Sequence, residues 1–288
     1  MYTQALHKSS GIEVKSHIQR FPRKSFCQKL DVEQVLVQQS DAGLMVNEFE
    51  YWDKYYHDTT VRYEWNNGRL EIKDMPTYIS IVCMNFFLDC LEQYLISNPI
   101  ATLIKYDPAF TIIDQPKKTI RRPDYSVILK SNPVQIANAD CTYSGTYDIC
   151  IELLSDSKKK YISKDTVARK KEYAKAGVFE YYIIDINKRT HTAFYHLNKN
   201  GNYVKIRSKN GVIQSTVLPG FQFRIEDIYR NPNLIDLIDD DVYKHYMLLN
   251  FQKERKEKEI LLQQLEKERI EKENIQKEIE NLKKRLTP

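Results

Sequence analysis

Two short apolar runs, Tyr125 to Leu129 and Ile149 to Leu154, have the length of buried strands and lack surface alternation. Lys164 to Ala176 then reads as a helix bearing Arg169, Lys170 and Lys171, ending at the C-cap position Gly177. A third apolar run follows, Tyr181 to Ile184. Strand, strand, basic helix, strand predicts an α/β core.

The flanking pattern adds elements on both sides. Asn47 is placed to cap a helix, EFEYWDKYYHD, whose stripe of Phe49, Trp52, Tyr55 and Tyr56 at three-four spacing points to core rather than to a stacking surface for bases. Val61 to Met75 reads as a β-hairpin turning at Asn66-Asn67-Gly68. Pro76 opens a helix from Thr77 to Ile96 with a broad apolar face of Tyr78, Ile81, Val82, Phe86, Leu88 and Leu91. Ala101 to Ile113 predicts a strand pair or one bent strand, broken at Asp107-Pro108, and Pro116 to Lys118 a turn. Thr192 to His196, Tyr203 to Arg207 and Ile213 to Leu218 read as strands joined at Gly201 and Gly211, with FQFRIEDIY as a last edge element.

From Leu234 the pattern changes, and Asp239 to Leu286 predicts one long, charge-rich helix. Leu261, Leu265, Ile275, Ile279, Leu282 and Leu286 follow heptad spacing, interrupted by Glu268 and Lys272, so the expectation is a homodimeric coiled coil. Residues 1–44 mix polar residues with few apolar clusters and read as a poorly ordered leader with a short helix at Asp31 to Val37. The predicted division is therefore leader 1–44, core domain 45–232 and helical tail 233–288.

Composition narrows the class. The net charge of +5 is gathered at Arg121–Arg122, Lys158–Lys160 and Arg169–Lys171, which suits an anionic partner such as nucleic acid. The five cysteines show no paired CxxC spacing, which argues against a zinc ribbon or disulfide framework and for a reducing cytoplasm. No run reads as membrane-spanning and no signal-peptide core is evident, so no membrane association is expected.

The candidate chemistry lies in the two apolar runs. Asp124 opens one and Glu152 sits inside the other. Ionised carboxylates in apolar strands are costly unless paired, and two side by side repel unless a cation lies between them. Asp124, Glu152 and a nearby lysine form the minimal kit of a metal-dependent nuclease: the acids hold Mg²⁺ or Mn²⁺, and the lysine orients water or offsets phosphate charge.

Several spaced motifs in this order resemble the Uma2 family of PD-(D/E)XK restriction-endonuclease-like proteins: YEWNNGRL (63–70), RRPDYSVIL (121–129), DICIELLSDS (148–157), Asp165 with KKEYAKAGVFEYYIID (170–185), and SxxLPGF (215–221). The resemblance spans Val46 to Tyr229. It implies a mixed β-sheet core flanked by helices, bacterial origin, Asp124 and Glu152 as metal ligands, and Glu64 approaching the same metal. Two departures matter. The position for the motif lysine is Leu154, and the resemblance places the lysine on the following helix, four residues before Tyr173, where Arg169 stands with Lys170 beside it. Tyr78 stands near a position where many relatives carry histidine.

The leading expectation is an endonuclease hydrolysing nucleic acid, DNA before RNA, with Lys170 or Arg169 stabilising the scissile phosphate. Two alternatives remain open: a binding protein using the same basic cleft without cleavage, and a scaffold in which Asp124 and Glu152 pair with Arg122 and Arg169.

Overall fold

A computed structural model describes residues 40–73, 78–106, 108–154, 163–186 and 189–286. The chain divides into two units, Met1–Ser40 and Asp41–Pro288. Residues 1–39 of the expected leader, Pro76 and Thr77, Asp107 and the Lys158–Lys160 cluster lie outside the described residues. The last residues assigned to the leader already belong to the folded unit: Gly43 N–H donates to the Leu70 carbonyl, and Leu70 N–H to the Leu44 carbonyl.

The Asn47 side chain accepts from Glu50 N–H at 2.9 Å and caps helix α1, Glu48–Glu50, which continues as a π-helical turn, Tyr51–Tyr55. Of the aromatic stripe, Tyr55 and Tyr56 are buried, Trp52 packs part-buried against the same core and Phe49 is exposed; Tyr51, outside the stripe, is also buried. Strands β1 (Tyr63–Asn66) and β2 (Arg69–Ile72) form the expected hairpin. Its turn needs left-handed backbone at both central positions, supplied by Asn67 (φ 48°) and Gly68 (φ 96°).

Helix α2, Tyr78–Ser97, is long and apolar enough to cross a membrane, contrary to the sequence expectation. Met84, Phe87 and Leu91 are instead buried in the main core, while Tyr78 and Ile81 are exposed. The run from Ala101 becomes two strands in different sheets, β3 (Ala101–Ile104) and β4 (Phe110–Asp114), and β5 (Lys117–Arg121) turns back antiparallel on β4.

The central runs form strands as expected: β6 (Tyr125–Leu129), β7 (Ile149–Leu154) and, after helix α3 (Lys170–Ala176), β8 (Glu180–Asp185). A π-helical segment, Lys164–Arg169, leads into α3, which ends at Gly177 with φ 85°. Strands β9 (Ala193–Leu197) and β10 (Tyr203–Lys205) complete a mixed six-stranded sheet in the order β10-β9-β8-β7-β6-β3, in which only β7 and β8 pair in parallel. A four-stranded antiparallel sheet runs β2-β1-β5-β4.

Period-two alternation assigns the two faces of the larger sheet. Ile149, Ile151, Leu153, Tyr182 and Ile184 join the core that includes α2. Cys150, Leu154, Tyr181 and Ile183 join the other, with Tyr173 of α3. Glu152 alternates with Ile151 and Leu153, so it points to the α3 side.

After strands β11 (Val212–Gln214) and β12 (Gln222–Arg224), the expected edge element becomes helix α4, Ile225–Arg230. Glu226 and Asp227 favour the helix start, and Asn231 closes it in the left-handed conformation. The core then extends past the predicted boundary at 232, because Leu237, Ile238, Tyr243, Tyr246 and Met247 are buried in it. The long helix begins only at α5, Leu249–Leu286.

Candidate active site

The hairpin register creates the first electrostatic problem. Glu64 on β1 lies directly opposite Glu71 on β2, and like charges at opposed positions destabilise a ladder. Two bases relieve it. Arg121, at the end of β5, reaches Glu71 at 2.7 Å and Glu64 at 3.3 Å; Lys164 reaches them at 3.4 Å and 2.9 Å. The Arg121 guanidinium also grips both oxygens of Glu172 on α3, at 2.7 and 2.8 Å. Arg121, expected from the sequence to belong to a basic cluster suited to an anionic partner, is buried and pairs internally with Glu64, Glu71 and Glu172.

Alternation carries the charged face onward from Glu71 to Lys73, which follows β2 and is only 3% exposed. Its ammonium lies 2.7 Å from Asp124 Oδ1 and 3.6 Å from Glu152 Oε2. A positive charge supplied by the chain itself, the Lys73 ammonium, thus lies against both carboxylates. Asp124 immediately precedes β6, which pairs antiparallel with β7, and this places it beside Glu152. Leu153 N–H donates to Asp124 Oδ2 at 2.8 Å, and Tyr173 O–H to Glu152 Oε1 at 2.7 Å.

Arg169 stands between Glu152 and the hairpin. One terminal nitrogen meets both Glu64 oxygens at 2.8 Å; the other meets Glu152 at 3.1 Å and Asp165 at 2.5 Å. Its Nε is buried with no hydrogen-bond partner among the described residues. Glu64 thus connects to Glu152 through Arg169 and accepts in addition from Arg122 N–H at 3.1 Å.

The charges divide unevenly. Burial pushes the Glu152 carboxyl up to about 8, against the pull of Arg169 and Lys73. Burial likewise raises Asp165, opposed chiefly by Arg169. Burial alone would raise Glu64 too, but Arg169, Lys164, Arg121 and Lys73 together hold it well below the usual carboxylate range. For Lys73, the attraction of Asp124 and Glu152 outweighs burial and raises its pKa.

The structure thus brings together Asp124, Glu152, Arg169 and Glu64, but it places Lys170 elsewhere. The Lys170 ammonium lies over the Tyr195 ring on β9, 3.8 Å from its centroid. Arg122 stacks on Tyr56, 4.7 Å from that centroid, so the scaffold pairing of Arg122 with Asp124 is replaced by Lys73. Sequence reasoning missed Lys73, Lys164 and Glu71. A signal existed for Lys73, which shares a strand face with Glu71 and, across the hairpin, with Glu64.

Two carboxylates on adjacent strands of a mixed sheet, bridged by a lysine and overlaid by a helix, define a restriction-endonuclease-like α/β protein. Residues 46–226, more than half of the chain, match the model of the Uma2 family, described as "Putative restriction endonuclease", and the chain belongs to that family. Among solved structures, a chain described as "a putative nuclease belonging to DUF820" from Anabaena variabilis ATCC 29413 is similar at 18% identity and a TM-score of 0.46. The match covers 60% of this chain and 92% of that one. None of the curated proteins matches.

Proposed function

We propose that this protein is an endonuclease that hydrolyses phosphodiester bonds of nucleic acid, DNA before RNA, at Asp124 and Glu152 with Mg²⁺ or Mn²⁺. The observation that carries this reading is the Lys73 ammonium, 2.7 Å from Asp124 and 3.6 Å from Glu152. Two acids and a lysine are the minimal set for phosphoryl chemistry of this kind, and Lys73 takes the role that the sequence assigned to Lys170 or Arg169.

Among the described residues, no group of three or more His, Cys, Asp or Glu is placed to hold a metal unaided. Magnesium sites commonly use one or two carboxylates, with substrate phosphate and water completing the shell, and Asp124 with Glu152 fits that pattern. Asp124 and Glu152 would hold the ion, which would polarise a phosphate oxygen and acidify a bound water.

The chain's own residues supply the rest. Leu153 N–H and Tyr173 O–H fix the two acids, Lys73 offers positive charge beside them, and Arg169 ties Glu152 to Glu64 and Asp165. Helix α5 would pair two copies through its exposed seam, which suits cleavage of both strands of a duplex. Incubation of plasmid and single-stranded substrates with Mg²⁺ or Mn²⁺, with Asp124→Ala as control, tests the activity.

One observation favours a second reading, binding without cleavage: both acids are already ion-paired within the chain. Salt-sensitive binding of nucleic acid with no metal-dependent cleavage would support it.

A further inference from the structure

Each carboxylate of the pair has one oxygen fixed by a neutral donor. Asp124 Oδ2 accepts from Leu153 N–H, and Glu152 Oε1 from Tyr173 O–H. The remaining oxygens, Asp124 Oδ1 and Glu152 Oε2, are the two that Lys73 reaches. They are held in place from behind by the backbone of β7 and by α3, independently of the lysine.

Arg169 differs from Lys73 in this respect. It meets Glu152 Oε2 at 3.1 Å but is anchored at its far end by Glu64 and at its near end by Asp165. The Lys73 ammonium sits on a flexible stem and makes its ion pairs with Asp124 and Glu152. Of the two bases, Lys73 is the one whose position a second cation would have to take. Asp124, with 13% of its side chain exposed against 1% for Glu152, is the side of approach.

We propose that Lys73 is a resident counter-cation of the Asp124–Glu152 pair, which a divalent ion must displace to reach Asp124 Oδ1 and Glu152 Oε2. The free protein then binds Mg²⁺ or Mn²⁺ weakly, and removing the lysine charge opens a metal site. Displacement leaves the ammonium beside the pair, free to face an incoming phosphate. The inference rests on the reading of Asp124 and Glu152 as the metal-binding pair.

Calorimetric titration of the full chain with Mn²⁺ tests it, on the wild type, Lys73→Met, Lys73→Gln, Lys73→Arg and the double variant Lys73→Met with Asp124→Asn. Lys73→Met is expected to bind one ion per chain at least about tenfold more tightly than the wild type, because a like charge no longer occupies the position. Lys73→Arg should stay weak, and the double variant should lose the gain. Circular dichroism checks folding, and Lys73→Gln carries the comparison if the methionine variant fails to fold. Equal affinity of wild type and neutral variants, including binding by neither, overturns the counter-cation role. Wild-type cleavage lost in Asp124→Ala would still stand for the active-site reading in that case, so the two failures are distinguishable.

Discussion

One terminal nitrogen of Arg169 lies 2.8 Å from both carboxylate oxygens of Glu64, across 105 residues of chain. The contact ties the π-helical segment before α3 to the first hairpin. Because Arg169 is also buried against Glu152 and Asp165, both of its terminal nitrogens are engaged inside the protein.

Arg169→Ala should therefore destabilise the fold by about 3–5 kcal/mol, the usual result of leaving buried carboxylates without their base. Urea unfolding measures it. A variant of wild-type stability with weakened nucleic-acid binding would instead mark Arg169 as a phosphate contact.

Glu64 and Glu152 predict opposite pH responses. Glu64 is held below its unfolded value of 4.5, so its contribution is present above that value and is lost as the pH falls through the depressed pKa. Glu152 is raised, so its contribution is complete below 4.5 and is lost as the pH climbs to about 8. Glu64→Gln should blunt acid unfolding, and Glu152→Gln should flatten the decline of stability between 4.5 and about 8. Chemical denaturation from acid pH, below 4.5, up to about 8 would contradict the assignment if both variants kept the wild-type profile.

Much of this site was legible from residue type and position. A carboxylate in an apolar strand demands a partner, which singled out Asp124 and Glu152. The identity of the partner was not legible, because a lysine at the end of a polar hairpin reads equally well as solvated. Helix α3 presented a related ambiguity. Successive helical residues are about 100° apart, so the basic run does not itself reveal which residue faces inward. The structure turns Arg169 inward, places Lys170 on Tyr195 and leaves Lys171 exposed. At the tail, Tyr243, Tyr246 and Met247 were absorbed into a charged-helix pattern, although they complete the core.

Lys170 should matter little to the chemistry. Lys170→Ala is expected to retain nucleic-acid cleavage within about threefold of wild type, since its ammonium is engaged by Tyr195. Loss of cleavage with the fold intact would return the lysine role to α3.

The tail makes a separate prediction. Leu261, Leu265, Ile275, Ile279 and Leu282 are all exposed on α5, and an amphipathic helix this polar gains stability chiefly by burying its stripe against another helix. Ile275→Asp with Ile279→Asp should give monomers in light scattering, with the core still folded. Truncation after Leu248 removes the helix and keeps Tyr243, Tyr246 and Met247, which are core residues. A monomeric wild type would contradict pairing through α5.

Nicking of supercoiled plasmid with Mg²⁺ or Mn²⁺ tests most directly whether Asp124 and Glu152 form a hydrolytic centre. The wild type is predicted to nick and linearise the plasmid, and Asp124→Ala to lose that activity while remaining folded. Equal cleavage by the two proteins, or no cleavage of plasmid or single-stranded substrate by a folded, nucleic-acid-binding wild type, would contradict it.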